Sequence, residues 1–289
     1  MSIHDRNELA VALEDIVRRA LAEDAADQDV TSQLLVPQSL TASMKIVSRE
    51  TICVCGMEVA AAVFAALDPE VKVNCLAHDG DIIDAGQVLM ALDGRARSLL
   101  AGERVLLNLL QRMSGVATLT RRYVQAIAHT NAKLLDTRKT MPGLRLLDKY
   151  ATRTGGAINH RMRLDDMVLI KDNHIALCGG VKAAFEQARR GLKRELPIVI
   201  ECDTLAQVQE ALICLPDRIL LDNMTLDELR RAVALAAGRV ALEASGGVNL
   251  STIAAIAETG VDYISTGAIT HSAVAVDIGA DIAAEARTH

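Results

Sequence analysis

The chain has 289 residues, 51% of them hydrophobic, with a mean hydropathy of +0.22. Its 31 Lys and Arg against 37 Asp and Glu leave a net charge of −6, aromatics make up only 2%, and Trp is absent, which argues against a nucleic-acid reader that needs cations for phosphates and rings for bases. No run approaches the roughly 18–20 apolar residues that span a bilayer, and the N-terminus lacks the basic-then-apolar pattern of a signal peptide. A cytoplasmic globular protein with no membrane or nucleic-acid partner is expected. Six cysteines, Cys53, Cys55, Cys75, Cys178, Cys202 and Cys214, form no C-x-x-C pair and read as reduced, buried thiols.

Along the chain, residues 5–25 predict an amphipathic helix, with Leu9, Leu13, Ile16, Val17, Ala20 and Leu21 at helical spacing. Asp29-Val-Thr-Ser32 fits a cap or turn. From about 41 to 94, short Val, Ile and Leu runs cut by Gly and Asp predict a small antiparallel sheet, with a helix near 57–67 and a hairpin over His78–Gly86. Residues 98–127 predict a long buried helix interrupted near Gly115, with Glu103 and Arg104 set inside its apolar half. Beyond about 130, six strand-like runs (LLDTR, MVLIKD, IVIECD, RILLDN, VALEASGG and DYISTGA) recur, most of them separated by helical segments. That alternation signals a parallel sheet of βα units, and so many units favour a barrel. The last segment, VDIGADIAAEAR, predicts a helix that returns to the N-terminal domain.

An α/β barrel does its chemistry where its strands end. The early ends are basic: Asp136-Thr137-Arg138-Lys139-Thr140, then Asn159-His160-Arg161, then Lys171-Asp172-Asn173-His174. The middle ends are acidic: Glu201-Cys202-Asp203, then Asp222-Asn223. The final ends carry Glu243 followed by Ser245-Gly246-Gly247, and Ser265-Thr266-Gly267-Ala268. Guanidinium forks match carboxylates and phosphates at two points. Carboxylates hold Mg²⁺ or stabilise positive charge, and Gly-rich turns offer backbone N–H groups to a phosphate. Each piece also has a bland reading. Arg138-Lys139 fits a solvated surface pair, His160 a hydrogen-bonded core residue, Glu201 and Asp222 helix caps, and Ser245-Gly246-Gly247 a plain turn. Asp172-Asn173-His174 matches no metal-ligand spacing and is expected to be structural.

The strings ERVLLNLLQRMSGVATLT, LLDTRKTMPGLRLLDKYATRTGGAINHRMRLDDMVLIKDNHI, IVIECDT, ILLDNM, LEASGGV and ISTGAITHS resemble the quinolinate phosphoribosyltransferase family, and the resemblance runs nearly the whole chain. It implies an α/β fold: an N-terminal α/β sandwich domain plus an open, seven-stranded α/β barrel. With that fold in mind, the sandwich is set at 1–115, the barrel catalytic domain at 116–275, and a C-terminal helix at 276–289 packs back on the sandwich. The implied enzyme is a decarboxylating pentosyltransferase of NAD biosynthesis. It would join quinolinate to 5-phosphoribosyl-1-pyrophosphate, giving nicotinate mononucleotide, pyrophosphate and CO₂, with Mg²⁺. The resemblance implies a homodimer or dimer-based oligomer in which Arg104 enters the neighbour's site. Guided by it, Arg104, Arg138, Lys139, His160, Arg161 and Lys171 are expected to grip quinolinate, with Thr137 beside them. Glu201 and Asp222 are expected at the ribose and Mg²⁺, with Glu243 as a helper. Ser245-Gly246-Gly247 and Thr266-Gly267-Ala268 are expected to cradle a phosphate, and Lys139 or Lys171 to assist decarboxylation. Two rivals remain: a superfamily relative acting on nicotinate or serving as the molybdenum-associated paralogue, and a catalytically silent barrel sensing an anionic metabolite.

Overall fold

A computed structural model describes residues 3–284. The chain divides into two compact units. The first runs to Leu119, resumes over Met141–Gly155 and resumes again from Ala273; the second comprises Thr120–Thr140 and Gly156–Ser272.

In chain order, the first unit opens with α1 (Ile3–Glu23), which buries Leu9, Leu13, Ile16 and Val17 as its spacing requires, followed by α2 (Val30–Leu35). Asp29 caps α2 by accepting from the backbone N–H of Ser32 at 3.1 Å. Then come β1 (Thr41–Ser48), β2 (Ile52–Cys53), α3 (Met57–Leu67), β3 (Lys72–Cys75), β4 (Ile82–Ile83), β5 (Val88–Arg95) and α4 (Ala96–Ala126). Met44, Ile46, Leu89, Met90 and Leu92 from the sheet meet Val63 and Phe64 of α3 and Leu99, Leu106, Leu110 and Met113 of α4 in one core. This is the expected sandwich, helices against an antiparallel sheet.

Two expectations fail here. Helix α4 is not interrupted at Gly115. A side chain there would strike the backbone carbonyl of Val274, so the glycine serves close packing rather than a break. The C-terminal segment is also not a helix. The second unit contributes β6 (Lys133–Leu135); α5 (Arg145–Thr154), although between its strands in sequence, belongs to the first unit through buried Leu147 and Ala151. The second unit continues with β7 (Val168–Ile170), α6 (Asp172–Cys178), α7 (Val181–Gly191), β8 (Ile198–Cys202), α8 (Leu205–Cys214), β9 (Arg218–Asp222), α9 (Leu226–Ala236), β10 (Ala241–Ser245), α10 (Ile253–Ala257), β11 (Tyr263–Ser265) and α11 (Ala268–His271). After it, β12 (Ile278–Ala284) pairs antiparallel with β1, from Ser48↔Ile278 to Ala42↔Ala284, in the order β12-β1-β5-β3. An open sheet edge outweighs the helical propensity of an Ala-rich segment. The return to the first unit stands; residues 285–289 of the expected helix lie outside the described residues.

Asp68 closes the end of α3 and is only 2% exposed at its side chain. It accepts from Arg95 Nε at 2.8 Å, Arg95 Nη2 at 2.6 Å, Ser98 Oγ at 2.5 Å and the Glu70 N–H at 3.2 Å. The Arg95 hydrogen bonds hold its carboxyl at about 2, below the ordinary 3.8, against the opposing effect of burial. A depressed carboxyl stabilises the fold above its unfolded-state value, and that contribution is lost as pH falls from about 4 to about 2. Urea titrations across this range should show wild type losing about 2 kcal/mol more than Asp68→Asn. Parallel curves for the two proteins would refute the role.

The second unit carries a parallel sheet in the order β6-β11-β10-β9-β8-β7, and its six strands are the six read from sequence. Seven strands were implied; among the described residues the seventh place is a single parallel bridge, Leu135↔Ile158. Ile158 donates its N–H to Leu134 O at 2.9 Å and accepts from Asp136 N at 3.2 Å. The next N–H, of His160, turns instead to the side chain of Asp136, Oδ1, at 2.7 Å. A side-chain acceptor thus ends the ladder after one rung.

Candidate active site

Strand alternation sorts the sheet into two faces. Ile198, Ile200, Cys202, Ile219, Leu221, Leu242, Ala244 and Ile264 are buried apolar residues of one parity. The other parity carries Leu169, Lys171, Glu201, Leu220, Asp222, Glu243, Ser245 and Ser265, and all of these line one cavity of about 510 Å³. Thr137, Arg138, Lys139, His160, Arg161, Asn223, Gly246 and Gly247 complete its wall. Eleven of the expected site residues therefore converge: Thr137, Arg138, Lys139, His160, Arg161, Lys171, Glu201, Asp222, Ser245, Gly246 and Gly247. The helper Glu243 joins them.

Four do not. Arg104 lies in the first unit, exposed on α4, and makes no hydrogen bond or ion pair among the described residues. Thr266, Gly267 and Ala268 sit behind the wall. Thr266 Oγ1 donates to Val248 O at 3.1 Å and accepts from Ala268 N at 3.2 Å, so it braces the chain just after Gly246-Gly247. A side chain at Gly267 would press on Lys139 and His271. The sequence reading does not single out Leu169 and Leu220, and it names Asn223 and Ser265 only as strand-end neighbours without a role. The parity of the strands carries the signal for Leu169 and Leu220, since they lie two residues before Lys171 and Asp222.

Helix α8 is capped by a reciprocal Thr204–Gln207 box and α9 by Thr225–Glu228, so neither Glu201 nor Asp222 is needed as a cap. Arg138 is half-buried, and its Nε, out of solvent, has no hydrogen-bond partner. A buried donor without an acceptor costs stability unless a ligand supplies one. Of Asp172-Asn173-His174, the last residue has a structural contact: His174 Nδ1 accepts from the Lys171 N–H at 3.0 Å at the start of α6.

Electrostatics divide the cavity. Arg138, Lys139, His160 and Arg161 come from the two loops braced at Asp136 and Thr270. Asp136, fully buried, accepts from Asn159 Nδ2 at 2.6 Å and His160 N at 2.7 Å, and Thr270 Oγ1 donates to Lys139 O at 2.8 Å. Burial and the adjacent Arg138 lower the pKa of Arg161, while Asp166 and Glu201 oppose them. Cations crowded this closely favour an anionic ligand. At the seam with the acidic half, Lys171 Nζ meets Glu201 Oε2 at 2.6 Å. Asp222 Oδ2 accepts from Asn223 Nδ2 at 2.6 Å. Asn223 adopts φ 53° and donates its N–H to Ser245 O at 2.9 Å, tying the two strand ends together.

No cluster of three or more His, Cys, Asp or Glu side chains fit to hold a metal occurs among the described residues. Glu201 and Asp222 supply two carboxylates to the cavity, the donor set expected when Mg²⁺ arrives on a substrate's phosphates rather than in a protein cage. All six cysteines are free; Cys53, Cys55 and Cys202 are buried as expected, whereas Cys178 and Cys214 are half-buried and Cys75 is exposed. No helix among the described residues is long and apolar enough to cross a membrane.

The chain matches two family models: quinolinate phosphoribosyl transferase, N-terminal domain, over residues 29–114, and its C-terminal domain over residues 116–281. It is 43% identical to the nicotinate-nucleotide pyrophosphorylase [carboxylating] of Mycobacterium leprae over 277 residues, 94% of this chain and 97% of that one. It is 43% identical over 261 residues to the probable nicotinate-nucleotide pyrophosphorylase [carboxylating] of Synechocystis, covering 89% of this chain and 88% of the relative. The crystal structure of nicotinate-nucleotide pyrophosphorylase from Ehrlichia chaffeensis superposes with a TM-score of 0.89 at 43% identity, covering 93% of this chain and 98% of that one. Sequence and fold agree along both compact units, and the chain belongs to the quinolinate phosphoribosyltransferase family.

Proposed function

We infer that this chain is a decarboxylating phosphoribosyltransferase of NAD biosynthesis, converting quinolinate and 5-phosphoribosyl-1-pyrophosphate to nicotinate mononucleotide, pyrophosphate and CO₂. One observation carries the reading: Arg138, Lys139, Arg161 and Lys171 share a cavity with Glu201 and Asp222. Two adjacent carboxylates on a pyridine need several cations, and a ribosyl centre losing pyrophosphate needs nearby anions.

In this reading Arg138, Arg161, Lys139 and Lys171 bind and orient the dicarboxylate, with His160 beside them. Arg138 Nε finds in a substrate carboxylate the acceptor it otherwise lacks. Ser245-Gly246-Gly247 receives the 5′-phosphate on its backbone N–H groups, and Thr266 holds that turn from behind. As the bond to pyrophosphate lengthens, positive charge grows on the ribose, and the fixed carboxylates of Glu201 and Asp222 stabilise it. Glu201 and Asp222 would be the residues to hold Mg²⁺, which would supply charge neutralisation at the leaving pyrophosphate. The ring nitrogen, once ribosylated, is cationic and stabilises the carbanion left by CO₂, and Lys139 or Lys171 delivers the proton to that carbon.

Arg104 belongs to the same proposal. Set between buried Val105 and half-buried Glu103, exposed and unpaired among the described residues, it suits a homodimer in which it reaches the neighbour's cavity. The enzyme is placed in the cytoplasm, where reduced thiols are the norm. Purified protein with Mg²⁺ and the sugar donor should release CO₂ from carboxyl-labelled quinolinate and form nicotinate mononucleotide, while nicotinate should not react. Turnover of nicotinate in place of quinolinate would favour the superfamily rival, and binding of quinolinate without any turnover would favour the sensor.

A further inference from the structure

Glu243 is a buried ionisable group of the cavity wall that the mechanism above leaves unused. It sits on β10, two residues before Ser245 and thus one inward step deeper in the cavity, and its side chain is 0% exposed. Its Oε2 accepts from Arg218 Nη1 at 2.8 Å and faces His160 Nε2 at 3.6 Å. Burial works to raise the Glu243 carboxyl, but His160, Ser265 and Arg218 together outweigh it and hold the group below its ordinary value.

Arg218 is not a cavity residue. It starts β9 at the opposite edge of the sheet from the strand ends that bear the site, with its Cζ 4.2 Å from the centre of the Tyr263 ring, a distance at which a guanidinium is held by the ring face. Ring and carboxylate together fix where its charge lies.

His160 is fixed from three directions. Its backbone N–H is held by Asp136, its Nδ1 accepts from the Arg161 N–H at 2.8 Å, and its Nε2 faces Glu243. An accepting Nδ1 leaves the imidazole N–H on Nε2, directed at the carboxylate.

We propose that Arg218, Glu243 and His160 form a positioning column that runs from outside the cavity into its wall, which orients the imidazole and through it the Arg161 segment that grips the pyridine dicarboxylate. This deepens, and rests on, the reading of the site as a quinolinate site. Arg218 acts from outside the cavity by neutralising Glu243; without it, a buried carboxylate would lie unbalanced next to a dianionic substrate and draw His160 out of place. Glu243 then belongs to the quinolinate side rather than to the ribose.

The test combines kinetics with ¹⁵N NMR of histidine-labelled wild-type protein, the His160 signals being assigned through His160→Gln. His160 should show an unprotonated, hydrogen-bonded Nδ1 and a protonated Nε2; the opposite tautomer overturns the proposal without any destabilising variant. Arg218→Gln should raise the quinolinate KM about tenfold while kcat and the KM for phosphoribosyl pyrophosphate stay within about twofold, and in a His160→Gln background it should add nothing further. An unchanged quinolinate KM, a parallel loss for both substrates, or full additivity with His160→Gln would each refute the column. Should Arg218→Gln not fold, Arg218→Lys keeps the charge with a different reach. It should shift the His160 Nε2 signal and stay within about threefold of wild type for quinolinate, and an unshifted signal overturns the proposal. Wild-type CO₂ release from quinolinate scores the underlying reading separately.

Discussion

Alanine at Arg138 should raise the quinolinate KM about a hundredfold and leave the KM for phosphoribosyl pyrophosphate within about threefold. The size follows from the loss of a two-point charged contact, with each hydrogen bond to a charged group contributing about 1.5–3 kcal/mol, where a hundredfold corresponds to about 2.7 kcal/mol. The selectivity follows from position. Arg138 stands in the loop after β6 beside Lys139 and Arg161, and its buried Nε has no hydrogen-bond partner. Lysine at this position keeps the charge but not the planar fork, so Arg138→Lys should recover only part of the loss. Steady-state kinetics with each substrate varied in turn give the answer. Equal changes in both KM values would mean that Arg138 serves the cavity's general charge rather than the dicarboxylate.

Asp222→Asn should lower kcat about a hundredfold while the quinolinate KM stays within about twofold. A fixed carboxylate next to a developing cation acts only as that charge appears, so its removal falls on the transition state. The change is nearly isosteric, and the structure says why the wall should survive it. The strand end is tied by the Asn223 N–H to Ser245 O, a backbone contact, and α9 is capped by Thr225 and Glu228. The Asp222 side chain accepts from Asn223 Nδ2, a contact that the amide oxygen of asparagine can also make. Single-turnover rates together with quinolinate binding titrations separate the two effects. A kcat near wild type would remove Asp222 from the chemistry and leave Glu201 as the carboxylate that matters.

Much of this site was legible in the chain before folding, because β-strands announce themselves by composition and the chemistry of a parallel sheet gathers at one end of each strand. DTRKT, NHR, IKD, ECD, LDN and EASGG needed only the assumption of a common edge to be read as one wall. What stayed hidden depended on partners distant in sequence. Thr266-Gly267-Ala268 has the composition of a phosphate loop, yet its hydroxyl is already committed to Val248 and its glycine is packed by Lys139 and His271. Gly115 reads as a helix break until the Val274 carbonyl is seen to need that space. Met141–Gly155 follows a barrel strand in sequence but buries Leu147 and Ala151 in the other unit.

The amino-acid sequence by itself determined the two kinds of architecture, the six parallel strands and the identity of the charged groups at their ends, since these follow from periodicity and residue type over a few neighbouring positions. Only the tertiary structure decided that residues 278–284 form a strand, because β1 offered an edge whose N–H and C=O groups had to be paired, and that one rung alone stands at Ile158, because the Asp136 side chain captured the next donor. It also decided that Arg218 meets Glu243 and that Glu243 faces His160. That placement depends on the register of β9 against β10 and on which parity faces inward, and no local stretch of residues encodes either one.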